Sequence, residues 1–124
     1  METILKTIIV AEDDLTLNEL YVEVLESYGF KSIGFEDGKK ALLYAITNKV
    51  DFILTDLKMP TMDGIELLEE IRNIHPKDPP VLIITGYADA KTRQQAQNLG
   101  AIGLLSKPFN FDEIIKIINT NIKS

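Results

Sequence analysis

The chain has 124 residues, 45% of them apolar and 26% charged, with a formal net charge of −6. This is the size and balance of one ordinary globular domain, expected over 1–124. No cysteine and a single histidine, His75, exclude disulfides, thiolate chemistry and multi-histidine metal centres, while the acidity argues against duplex DNA as a direct partner.

No stretch reaches the ~20 apolar residues of a membrane span. Residues 1–11 lack the basic flank and small-residue cleavage site of a signal peptide. From there, apolar runs and amphipathic segments alternate. Ile8, Ile9, Val10 and Ala11 form an unbroken apolar run that ends abruptly at Glu12. Leu17, Leu20, Tyr21, Val24, Leu25 and Tyr28 then follow helical spacing, with Gly29 as the stop. Lys31–Phe35 is a more polar strand, expected near a sheet edge. Ala41, Leu42, Ala45 and Ile46 mark a second helix after Asp37 and Gly38.

Phe52, Ile53 and Leu54 are a second buried run, closed by Thr55 and Asp56; Ile65, Leu68 and Ile71 line a third helix. Val81 to Ile84 run into Thr85 and Gly86. Residues 90–99 carry Lys91, Arg93, Gln94, Gln95, Gln97 and Asn98, leaving only Ala96 and Leu99 as core contacts. That helix is expected to be loosely held. Gly103, Leu104 and Leu105 lead to Ser106 and Lys107. Phe111, Ile114, Ile115, Ile118 and Ile122 share the face of a last helix, with Asn110 and Glu113 at capping-box spacing.

Short apolar runs without alternation are strands buried on both faces, as in a parallel sheet. Five βα units therefore imply an open α/β sheet covered by helices on both faces. Functional groups in that architecture gather beyond the carboxyl ends of the strands. Those ends carry Glu12, Asp13, Asp14, Asp56, Thr85 and Lys107.

Two carboxylates ~4 Å apart repel by about 4 kcal/mol at an effective dielectric near 20, so clustered acids call for a cation or a raised pKa. Oxygen ligands without histidine or cysteine suit Mg²⁺, or Mn²⁺ in its place. The competing reading is that Glu12, Asp13 and Asp14 only cap the helix beginning at Leu15. Asp56, at the end of a different run, favours the metal. A carboxylate nucleophile, a divalent cation, a lysine and a hydroxyl form a set suited to a phosphoryl group. Neither G-x-G-x-x-G nor G-x-x-x-x-G-K-[ST] is present as a rival phosphate cradle. The acids after the first strand would also repel a flavin phosphate.

Asp56-Leu57-Lys58-Met59-Pro60-Thr61-Met62-Asp63-Gly64 matches the pattern D-x-x-M-P-x-M-D-G. Six specified positions at ~5% each coincide by chance on the order of 10⁻⁸ per starting point. With Glu12-Asp13, Thr85-Gly86 and Lys107-Pro108-Phe109 in order, the whole chain resembles the receiver domain of bacterial two-component response regulators. The resemblance implies a flavodoxin-like (βα)5 fold with parallel strand order 2-1-3-4-5. It implies Asp56 as phosphoacceptor, with Thr85 and Lys107 on the phosphoryl oxygens. Mg²⁺ would be held by Asp13, Asp56 and the Lys58 main-chain carbonyl, with Glu12 acting mainly through a metal-bound water. A cis Lys107–Pro108 bond is also expected.

The implied partners are a sensor histidine kinase or histidine phosphotransfer domain, an unidentified output domain or downstream protein, and a phosphorylation-linked second copy. The implied setting is the bacterial cytoplasm, with no membrane, no direct nucleic acid and no separate substrate turnover. His75 reads as a loop residue, because the relay histidine belongs to the partner. Two departures stand out. Leu104 occupies a position where the family often has Tyr or Phe, and Glu12 replaces the commoner Asp. Lys58 and Tyr87 sit two residues beyond Asp56 and Thr85, where the family tunes phosphoryl lifetime. The alternative reading is a phosphorylation-independent interaction module on the same fold. A Mg²⁺ aspartyl phosphatase is disfavoured, because Lys58 stands where a second acid is needed.

Overall fold

The computed structural model describes residues 4–122. The outermost residues of the expected 1–124 domain and of the segment weighed as a signal peptide, 1–3 and 123–124, lie outside it. Ten elements alternate: β1 (Thr7–Ala11), α1 (Leu15–Ser27), β2 (Lys31–Phe35), α2 (Gly38–Thr47), β3 (Phe52–Asp56), α3 (Gly64–Ile74), β4 (Val81–Thr85), α4 (Ala90–Asn98), β5 (Gly103–Ser106) and α5 (Phe111–Asn121). The five strands pair in parallel, in the order β2-β1-β3-β4-β5. The expected order is thus found, and β2 lies at an edge.

Alternation along each strand builds two cores. Ile9, Ala11, Ile53, Val81 and Ile83 point to one face, where Ala41 and Leu42 of α2, Leu67, Leu68 and Ile71 of α3 and Ala96 of α4 cover them. Ile8, Val10, Phe52, Leu54, Leu82 and Ile84 point to the other, beneath Tyr21 and Leu25 of α1 and Ile114, Ile115 and Ile118 of α5. Unbroken apolar runs are required because β1, β3 and β4 are buried on both sides.

Each helix starts on a side-chain cap. Asp14, Asp37, Asp63, Asp89 and Asn110 accept from amides of the first turns of α1 to α5. The reciprocal capping box lies at α3, between Asp63 and Glu66. At α5, Asn110 Oδ1 accepts from the Asp112 amide instead of that of Glu113. Leu20 and Ile46 flank their stripes and are exposed. Leu67, off the expected stripe of α3, is fully buried. Ala96 alone in α4 is buried, as the polar composition implied. The Lys107–Pro108 bond is cis. His75 ends α3 as an exposed cap residue.

Candidate functional site

The strand order reverses between β1 and β3, since β1 leads outward to β2 and the chain returns to add β3 on its other side. Side chains just beyond those two strands converge on one crevice. Carboxylate oxygens of Glu12, Asp13 and Asp56 all lie within 4.8 Å of one another. The helix-cap reading applies only to the third acid of the triplet. Asp14 Oδ1 accepts from the Thr16 and Leu17 amides at 3.0 and 3.1 Å, leaving Glu12 and Asp13 for the cluster.

Glu12 is the most constrained of the three, at 2% exposure. Its Oε2 accepts from the Asp14 amide at 3.1 Å, while buried Oε1 has no hydrogen-bond partner. Burial first, and then the charge of Asp56 and the adjoining Asp13 carboxyl, push its pKa from 4.5 to about 7. The Asp14 amide and Lys107 oppose that rise without cancelling it. The same negative potential reaches Tyr21 on α1. Burial, followed by Glu12, Asp56 and Asp14, holds its hydroxyl up at about 12. An orphaned buried carboxylate oxygen beside two other carboxylates fits a hard cation with oxygen ligands.

Asp56 Oδ1 accepts from the Leu57 amide at 2.8 Å. Its Oδ2 lies 3.7 Å from Lys107 Nζ, which is also 3.9 Å from Glu12 Oε1. Lys107 therefore spans two acids at ion-pair range, beyond hydrogen-bond distance from either. Its backbone is fixed to β4, where the Lys107 amide donates to the Thr85 carbonyl at 2.8 Å. Thr85 is buried, and its hydroxyl is engaged within its own turn. It donates to the Tyr87 carbonyl at 2.8 Å and accepts from the Tyr87 amide at 3.2 Å. Lys58 follows Asp56 by two residues in the β3–α3 loop, exposed.

Two glycines and a buried asparagine complete the frame. A Cβ on Gly64 would lie 2.5 Å from the Asp56 carbonyl oxygen, and one on Gly38 would lie 2.6 Å from that of Met62. Gly64 of the long motif thus lets α3 start directly against the phosphoacceptor candidate. Asn18, which sequence patterning passes over as a polar residue next to Leu17, is buried beneath the β1–α1 loop. Leu104 packs on the α2–α3 side of the sheet and lines a cavity of about 400 Å³ with Arg93, Ala96, Gln97 and Ala101. Arg93 bridges this edge, donating to Ser106 Oγ at 3.0 Å and to the Ala88 carbonyl at 3.4 Å.

The model of the response regulator receiver domain matches residues 8–119. The chain belongs to that family, whose members are phosphoacceptor switches working with histidine kinases and output domains. It is 33% identical over 113 residues to the DNA-binding transcriptional regulator NtrC of Klebsiella pneumoniae, a match covering 91% of this chain and 24% of that protein. It is 36% identical over 109 residues to the transcriptional regulatory protein CrdR of Helicobacter pylori, covering 88% and 51%. The chain thus spans about a quarter to a half of these relatives. Among solved structures, chemotaxis protein CheY4 of Vibrio cholerae superposes with a TM-score of 0.87 at 26% identity, covering 96% of this chain and all of the other. Response regulator TrrA of Thermotoga maritima, solved with Mg²⁺ and BeF, gives 0.85 at 27% identity, covering 95% of this chain and 100% of the other. Among the described residues, no helix is long and apolar enough to cross a membrane.

Proposed function

We propose that Asp56 accepts a phosphoryl group from a histidine kinase or a histidine phosphotransfer protein, and that the modified domain changes conformation to control an output. The observation that carries this reading is the convergence of the Asp56 carboxylate with those of Glu12 and Asp13, with Lys107 Nζ 3.7 Å from Asp56 Oδ2. In the transfer, an Asp56 oxygen forms the new O–P bond as the N–P bond to the donor imidazole breaks, and that imidazole keeps the electron pair. A carboxylate attacks through an oxygen lone pair, so no general base is needed.

Asp13, Asp56 and the Lys58 main-chain oxygen would hold Mg²⁺, with Glu12 acting mainly through water, and the ion would neutralise charge on the acids and on the phosphoryl group. Lys107 steadies the phosphoryl oxygens by its charge. Thr85 donates its hydroxyl to one of them, giving up the Tyr87 carbonyl at a cost of about 1 kcal/mol. That exchange couples phosphorylation to the β4–α4 turn.

The domain is proposed to act in the cytoplasm over 1–124, without separate substrate turnover. Its output is a further domain, a downstream protein or a second copy of the chain. The test is intact-mass analysis after incubation with acetyl phosphate and Mg²⁺. One phosphoryl group is expected on the parent and almost none on Asp56→Asn. Equal labelling of both removes Asp56 as acceptor, and no labelling of either favours the phosphorylation-independent module.

A further inference from the structure

Glu12 and Asp13 follow directly on β1, where the chain leaves the sheet, and face the carboxylate of Asp56 at the end of β3. β1 ends in register with β2 at Ala11 and Phe35. One more backbone bond extends that pairing, from the Glu12 amide to the Phe35 carbonyl at 3.0 Å. Beyond it, a single side chain closes the junction. Asn18 is 8% exposed, and its Nδ2 donates at 2.9 Å to both the Glu12 and the Phe35 carbonyls. The Asn18 backbone is itself anchored, because its amide donates to the Asp14 carbonyl at 2.8 Å. One amide group thus joins the end of β1, the end of β2 and the first turn of α1.

We infer that Asn18 is a positioning residue for divalent-cation binding: it clamps the Glu12 peptide to β2 and so holds the Glu12 and Asp13 carboxylates against Asp56. The inference rests on the metal reading of that cluster. Gly34 on β2 is the second half of the device. A Cβ there would lie 1.9 Å from Asn18 Oδ1, 3.0 Å from its Cγ and 3.2 Å from Val22 Cγ2. A side chain at 34 and the amide at 18 therefore exclude one another. Partners that orient metal ligands from behind change metal affinity by about 10- to 100-fold when removed. A residue that merely satisfied two carbonyls would change stability and leave affinity alone.

The experiment is calorimetric Mg²⁺ titration near pH 7.5, run beside thermal melts of the same samples. The parent is expected to bind Mg²⁺ and Asn18→Ala to bind about tenfold more weakly. Asn18→Ser keeps one donor and is expected to fall between them, which also covers failure of the alanine variant to fold. Ile118→Val, on α5, serves as a destabilised control with parental affinity. Gly34→Ala is expected to lower both melting temperature and affinity. Adding Asn18→Ala to it should restore much of the melting temperature, because the crowding atom is gone, and leave Mg²⁺ binding weak. Binding by Asn18→Ala and Asn18→Ser within twofold of the parent overturns the positioning role alone. A parent that does not bind Mg²⁺ overturns the metal reading, and this inference with it.

Discussion

Glu12→Gln should make the metal-free protein more stable, and increasingly so as the pH rises. Glu12 is nearly inaccessible to solvent, with one oxygen lacking a hydrogen-bond partner and two carboxylates beside it. Its folded pKa of about 7 stands above the ordinary 4.5. Below pH 4.5 both states hold the proton and the group has no effect. Between about 4.5 and 7 the unfolded chain gives up the proton while the folded chain retains it, so stability falls. Above 7 the full penalty stands. At about 1.4 kcal/mol per pH unit, the penalty is about 1 kcal/mol at pH 5 and about 3 kcal/mol at pH 8. Glutamine is isosteric and keeps an oxygen for the Asp14 amide, so the variant escapes the penalty. The assay is urea unfolding of parent and variant in EDTA at pH 5, 6, 7 and 8. The stability gap should widen by about 2 kcal/mol across that series. At pH 8 it corresponds to about 10 °C in melting temperature. Millimolar Mg²⁺ should narrow it, because a ligand of the folded state stabilises only the chain that binds it well. A gap that stays constant with pH, or a variant less stable than the parent at pH 8, would refute the desolvation argument.

Three other outcomes follow from the geometry. Gly64→Ala should cost about 2–3 kcal/mol and slow labelling of Asp56 by acetyl phosphate, because its Cβ meets the Asp56 carbonyl at 2.5 Å and α3 must move away; urea unfolding and timed mass spectra measure the two effects. Thr61 is the one non-glycine with positive φ among the described residues, at 69°, so Thr61→Gly should raise stability by about 1 kcal/mol in the same unfolding assay. Amides of α4 should exchange with solvent faster than those of α3 or α5, because only Ala96 anchors that helix. Addition of Mg²⁺ and beryllofluoride should alter exchange most between Thr85 and Leu99.

Much of this architecture is legible in the sequence because β1, β3 and β4 are covered on both faces and so carry polar residues only at their ends. The edge strands are harder to see. β2 mixes exposed and half-buried positions without alternation and has a glycine inside it, and β5 has no fully buried residue. Helix faces are read well where one surface covers them, as in α5, and less well where two do. α3 packs on the sheet and on α2, so Leu67 is buried outside the stripe drawn through Ile65, Leu68 and Ile71. The site acids, Thr85 and Lys107 can be found because the chain rule for open sheets points to strand ends. Asn18 could not be found that way, since its role depends on the approach of Gly34 on β2 to the first turn of α1. Nor could the Thr85–Tyr87 bond, which is a choice of rotamer.

Readout of the switch must do without the aromatic ring common in the family, because Leu104 stands in its place. Leucine has no ring to swing between solvent and core and no hydroxyl to report its position. What the edge has instead is Arg93, whose guanidinium reaches from α4 to Ser106, the residue before Lys107, and to the Ala88 carbonyl in the β4–α4 loop. Both contacts flank groups proposed to move. Thr85 must leave Tyr87 to reach a phosphoryl oxygen, and Lys107 must follow the new charge. Each motion pulls on one end of the Arg93 bridge, while the apolar packing that resists it is one alanine deep. A neutral or singly charged hydrogen bond is worth about 1–3 kcal/mol, so the bridge is strong enough to bias α4 and weak enough for a phosphoryl group to break. Arg93→Ala should therefore speed amide exchange in α4 without Mg²⁺ or beryllofluoride and shrink the further change on their addition. Unaltered exchange in both conditions would show that α4 is held by other means.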